Sequence, residues 1–214
     1  LPVGLLDQQI FVRKLRTKKR RSLADVTPIE EKESYRWLQS LENTKEITGD
    51  TQVVTVCDRE ADLYDFFNLS DKIKSPVLVR ANVDRAVNKR SRYTKKDVVK
   101  LWDHMSQQPE AGTITIKIPQ KRKTQHCKER DARVATLTLK YGSFLFNPPM
   151  HNVKHKSQKL PDIKMYAVYV FEANPPVGVE PVEWMLLTNL PVTDFAEAYE
   201  KVRWYCLRWR IEMY

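Results

Sequence analysis

Val53-Val54-Thr55-Val56-Cys57-Asp58 and Pro76-Val77-Leu78-Val79-Arg80 are two short, nearly unbroken apolar runs, and the way they are joined decides the fold. Such a run reads as a strand buried on both faces, as in a central sheet. Between them Leu63, Phe66 and Phe67 recur at helical spacing. Strand, helix and strand in this tight rhythm predict a parallel βαβ unit. Upstream, Thr27-Pro28-Ile29-Glu30 announces a helix: Thr27 can cap, Pro28 suits the first position and Glu30 completes a capping box. Trp37, Leu38 and Leu41 then face a core, and the helix should fray between Asn43 and Gly49. Residues 3–13 are rich in branched and aromatic side chains and read as a further strand. The stretch Arg13 to Arg21 carries seven cations and no acid, so it reads as a solvated loop or a phosphate-contacting one.

Downstream the texture changes. Residues 83–100 hold seven cations and two acids with little apolar periodicity. Thr113 to Ile118 and Ala135 to Leu139 alternate cleanly, and Met165 to Phe171 is a third strand candidate. Asn147-Pro148-Pro149 and Asn174-Pro175-Pro176 break the chain between them. Trp184 to Thr188 returns as a strand, after which Thr193 can cap a last helix with Asp194 in its first turn. Phe195, Tyr199, Val202, Cys206 and Trp209 form the stripe expected to pack on the sheet. The expected organisation is an α/β core over 1–82, a mostly antiparallel β insertion over 83–180, and a return to the core over 181–214.

Composition narrows the chemistry. The chain has 214 residues, 42% of them apolar, enough for a real core, and no run approaches the ~18 apolar residues of a membrane span. Its five glycines are scattered, which excludes a Walker loop and a dinucleotide fingerprint, both of which need clustered glycines to bring backbone N–H groups onto phosphate. Thirty-seven Lys and Arg against 27 Asp and Glu leave a charge of +10, so an anionic partner such as nucleic acid is expected. Three widely separated cysteines fit a reduced compartment and no disulfide scaffold. The chain opens at Leu1-Pro2 without a Met and stops at Tyr214 inside a helical pattern, and it reads as a fragment of a longer protein.

Asp58 is the first candidate for chemistry. A carboxylate at the carboxyl end of a buried strand sits where α/β sheets place ligand sites. It is equally well placed to cap the helix that follows. Glu60 and Asp62 read as first-turn acids favoured by the helix dipole. In the last helix Tyr205, Arg208 and Glu212 fall within an arc of roughly 60° and can together grip phosphate and metal, or Arg208 and Glu212 can simply form a surface pair. His126-Cys127 and the His151, His155 pair match no zinc-finger spacing. Cys57 ends an apolar strand, where a thiol is inert.

Val53 to Asp62 closely resembles the second-aspartate segment of bacterial cut-and-paste DDE transposases of the insertion-sequence-four family. Tyr205-Cys206-Leu207-Arg208-Trp209-Arg210-Ile211-Glu212 is similar to that family's Tyr-x-x-Arg-x-x-x-Glu signature. Glu31 to Ser34 and Trp184 to Thr188 also look like family segments, in the right order, so the resemblance spans almost the whole chain and is weakest over 85–175.

The resemblance implies a partial ribonuclease-H-like core, its first strand or strands missing, with a β insertion. It implies that Asp58 and Glu212 are catalytic carboxylates holding two Mg²⁺ or Mn²⁺ ions about 3.5–4 Å apart around a scissile phosphate, for hydrolysis and strand transfer through a DNA hairpin. Tyr205 and Arg208 match phosphate contacts. Trp184 matches the residue that stacks on a flipped base, and Trp209 the one that helps expel it, with core packing as the alternative for either. Arg80 and Arg85 match DNA-contacting positions, although Asn82 stands where the family has a lysine. The family's first aspartate and the signature's lysine fall outside the sequence, so the fragment alone is expected to be inactive; Asp7 lies one strand too late to substitute. Implied partners are transposon-end and target DNA and a second copy in a synaptic homodimer, with no membrane, in the bacterial cytoplasm at the nucleoid. The competing expectation is a domesticated, non-catalytic DNA-binding relative of the same fold.

Overall fold

In the computed structural model the described residues are 4–10, 28–87, 98–120, 130–149 and 160–208. The cation-rich run at 13–21, Thr27, His126, Cys127, His151, His155, Trp209 and Glu212 lie outside them. The described chain is a mixed α/β structure built on one six-stranded sheet. Its strands are β1 (Thr55–Cys57), β2 (Val77–Arg80), β3 (Gly112–Ile118), β4 (Arg133–Phe146), β5 (Ile163–Phe171) and β6 (Glu183–Thr188), in spatial order β1-β2-β6-β5-β4-β3. Helices α1 (Tyr35–Thr48), α2 (Tyr64–Lys72), α3 (Leu101–Ser106) and α4 (Phe195–Leu207) cover it.

β1 and β2 pair in parallel, Thr55 with Val77 and Cys57 with Val79, across α2, as the opening runs predict. Every other pairing in the sheet is antiparallel. β6 lies between β2 and β5, so the strands of 83–180 continue the same sheet that β1 and β2 begin.

Alternation along the strands splits the apolar side chains between two cores. One face meets α1, α2 and α3 through Leu41, Phe66, Phe67, Val79, Met105, Phe146, Met165 and Leu187. The other meets α4 through Leu78, Leu137, Leu139, Val170, Leu186, Ala198, Val202 and Tyr205. Each fully buried leucine here contributes roughly 1.5–3 kcal/mol. Phe67 and Phe146 make a tilted pair at 5.3 Å that locks α2 to β4. Arg133 grips Glu172 with both terminal nitrogens, one of them at 2.8 Å, and holds the Glu172 carboxyl below its usual range.

Several sequence expectations are revised. Residues 4–10 form no strand: Leu5, Leu6 and Ile10 are exposed, and Asp7 accepts from Gln9 Nε2 within the segment and from Asn43 Nδ2, which ties it to α1. Pro28 precedes only a short 3-10 turn, Ile29–Glu31; Lys32 is extended, and α1 starts at Tyr35. That helix holds to Thr48 instead of fraying, and ends where Gly49 takes φ 54°, a conformation that favours glycine. β1 is a half-buried edge strand among the described residues, not a central one. Asp194, not Thr193, caps α4, accepting from Glu197 N at 2.8 Å, while the Glu197 carboxylate reaches back to Thr193 N at 2.7 Å. The buried face of α4 is Ala198, Lys201, Val202 and Tyr205, offset from the expected stripe; Tyr199 is exposed.

Candidate functional site

β1 ends at Cys57, and the chain leaves the sheet at Asp58 into a 3-10 turn, Arg59–Ala61. Asp58 caps that turn: its Oδ1 accepts from Glu60 N at 3.1 Å. The capping role expected of it is therefore present, and its other oxygen, Oδ2, lies 4.0 Å from Arg208 Nη1 at the far end of α4. The Asp58 side chain is 43% exposed and that of Arg208 16%. A cation at a helix C-terminus also meets the negative end of the helix dipole.

The contacts run on from there. The Arg208 guanidinium carbon stands 5.8 Å from the Tyr205 ring centroid. Tyr205 meets Trp184 of β6 edge-on, with centroids 5.3 Å apart and planes at 64°. Arg80, at the end of β2, donates from Nη2 to the carbonyl of Glu183, the residue before Trp184, at 3.1 Å. Asp58, Arg208, Tyr205 and Trp184 thus form one continuous set drawn from three elements, and Arg80 is bonded to the residue that precedes Trp184. Beside it lies an open groove of about 490 Å³ lined by Val54, Val56, Trp204, Leu207 and Arg208.

Not every candidate joins this set. Arg85 turns inward: its side chain is one-tenth exposed and pairs with Asp62, whose side chain is fully buried. Tyr205 is 1% exposed, so its ring is a core element and only its position beside Arg208 ties it to the surface. Glu60 bonds Arg36 instead of entering the site. Sequence reasoning missed Asp62 as anything beyond a first-turn acid, because its partners Asn82, Val83 and Arg85 follow a strand and carry no fixed spacing. Among the described residues no group of three or more His, Cys, Asp or Glu side chains comes together, and no helix is long and apolar enough to cross a membrane. No family model matches the chain.

Cys57, beside Asp58, is an inert thiol in this geometry. Burial first, then the Asp58 charge, pushes its pKa up to about 12, with Arg208 opposing. A raised folded-state pKa favours folding below the unfolded value near 8.5 and loses that contribution as pH climbs toward the folded one. Cys57 alone should therefore cost roughly 1 kcal/mol between pH 9 and 10. Urea unfolding over that range should show the loss, and Cys57→Ala should flatten it; an equally steep fall in the variant would assign the effect elsewhere.

Proposed function

We propose that this chain belongs to the catalytic domain of a DDE-type DNA transposase, which cuts transposon ends by metal-dependent phosphodiester hydrolysis, works through a DNA hairpin and joins the ends to target DNA. The observation that carries the reading is the convergence of Asp58 and Arg208, remote in sequence, at 4.0 Å, with Tyr205 and Trp184 behind them. Four of the residues that the resemblance assigns to one DNA-handling site are neighbours here. A carboxylate at the end of a parallel strand, half-exposed and next to a guanidinium, is what a scissile phosphate requires on two sides.

The donor chemistry suits Mg²⁺ or Mn²⁺ in kind, since Asp58 offers a hard carboxylate oxygen; Glu212, the second ligand in this reading, lies outside the described residues. Held by Asp58, such an ion would supply Lewis-acid activation of an attacking oxygen and charge stabilisation at the leaving one. The chain's own residues do the rest. Arg208 binds the phosphate and orients it against Asp58. Trp184, supported edge-on by Tyr205, offers a stacking surface to an unpaired base, an interaction worth roughly 1–3 kcal/mol. The ribonuclease-H-like core, a synaptic homodimer and a place of work at the bacterial nucleoid belong to the same reading.

Salt-dependent DNA binding tests it. By fluorescence anisotropy on a labelled duplex, log Kd should rise linearly with log salt at about 0.9 per neutralised phosphate. In buffer freed of divalent metal, Arg208→Ala should weaken binding and lower that slope by about one phosphate, whereas Asp58→Asn should tighten binding by removing a repelling charge. Absence of binding at low salt, or variants indistinguishable from wild type, would sink the reading.

A further inference from the structure

We infer that Asp62 and Arg85 form a strut that positions Asp58 relative to the Trp184 strand, and that Arg85 works on DNA only through it. The inference rests on the reading of Asp58, Arg208 and Trp184 as one DNA site. Asp58 opens the 3-10 turn and Asp62 closes it: Ala61 N donates to Asp58 O at 3.2 Å, and Asp62 N to Arg59 O at 3.3 Å. The two carboxylates therefore sit on one rigid turn and move together. The buried Asp62 carboxylate accepts from Asn82 N at 2.7 Å, Val83 N at 3.1 Å and the Arg85 guanidinium. All three donors lie on the segment that leaves β2. That segment is stitched to β6 by Ala81 N donating to Met185 O at 2.7 Å, next to Trp184. One buried acid thus couples the turn that carries Asp58 to the strand pair that carries Trp184 and Arg80.

Arg85 is built for this place. Its guanidinium carbon lies 4.0 Å from the Phe146 ring centroid, its Nε and Nη1 are buried without a hydrogen-bond partner among the described residues, and its Nη2 donates to Asp62. A phosphate contact needs a solvent-facing guanidinium, and this one faces the core. The family resemblance would make Arg85 a DNA contact; the geometry makes it a positioning residue. Cys57 supplies a local probe, since it shares its core cluster with Ala61 of the same turn and is 4% exposed.

The experiment uses the full chain with Cys127→Ala and Cys206→Ala, which leaves Cys57 as its one thiol. Native-state alkylation by iodoacetamide, urea unfolding and the salt slope on duplex DNA are measured for Asp62→Asn, Arg85→Gln and the pair combined. We expect each single variant to speed Cys57 alkylation at least tenfold beyond what its loss of global stability accounts for. The double variant should react no faster than the faster single one, and the salt slope should stay at the wild-type value in all three. Alkylation that is unchanged, or that rises only in step with global unfolding, overturns the strut. So does Arg85→Gln lowering the salt slope by about 0.9, the signature of a direct phosphate contact. If the wild type does not bind DNA, the functional reading fails, and the alkylation result alone still decides whether the strut exists.

Discussion

Asp62→Ala should cost about 3–5 kcal/mol of folding stability, read as a lowered urea midpoint with little change in slope. The Asp62 side chain is fully buried and that of Arg85 nine-tenths so, and removing the acid leaves a guanidinium stranded against Phe146. Burial already pulls the Arg85 pKa down, and Asp62 opposes it most strongly, with the Asp84 charge adding to its effect. Two backbone donors, Asn82 and Val83, lose their acceptor as well. Breaking one side of a buried pair is far costlier than never having built it, so Asp62→Ala should be worse than the double change Asp62→Ala/Arg85→Met. A loss below about 1 kcal/mol, the range of an exposed pair, would mean that water reaches this pair in solution.

Tyr205→Ala should cost a similar amount, about 3–5 kcal/mol, because it empties a fully buried aromatic site against Trp184 and α4's neighbours in the sheet. Tyr205→Phe keeps the ring and removes only the hydroxyl. Stability should then fall by no more than about 1.5 kcal/mol. This separates two roles that alanine alone would confuse. If Tyr205→Phe weakens DNA binding at near-native stability, the phenol touches phosphate. If it binds DNA as the wild type does, the ring serves by supporting Trp184 and Arg208, and its stretch of the signature is structural.

What the sequence disclosed follows from where local pattern and tertiary placement agree. The parallel βαβ unit was legible because Val77, Leu78 and Val79 are buried on both faces, and an unbroken apolar run is the direct imprint of that. β3 was legible by alternation, since Ile114 and Ile118 face α4's core while Thr113, Thr115 and Lys117 face out. The α4 face was misplaced because the pattern counted apolar letters. Ala198 allows close approach to the sheet, and Lys201 lies buried with its ammonium 4.4 Å from the Trp204 ring and 2.9 Å from Glu200. Neither residue announces itself as core. Residues 4–10 have strand propensity but no strand partner among the described residues, and propensity for a sheet means little without a neighbour to pair with.

Of the candidate site, Asp58, Arg208, Trp184 and Tyr205 could be named from motif and then found together. The inward turn of Arg85 could not, because an ion pair spanning a strand leaves no periodicity to detect. Nothing in spacing distinguishes a cation that faces solvent from one that faces a ring.

The position of β6 shapes how the molecule must assemble. The last strand among the described residues is inserted between β2 and β5, so until residues 183–188 leave the ribosome β1-β2 and β5-β4-β3 are two half-sheets with facing raw edges. Closure joins segments more than a hundred residues apart, a high-contact-order event that is slow and exposes pairing edges while it waits. A nascent chain halted just before Glu183 therefore presents two open pairing edges; adding that strand closes the sheet, and α4 then covers the face that Leu78, Leu137 and Leu186 leave bare.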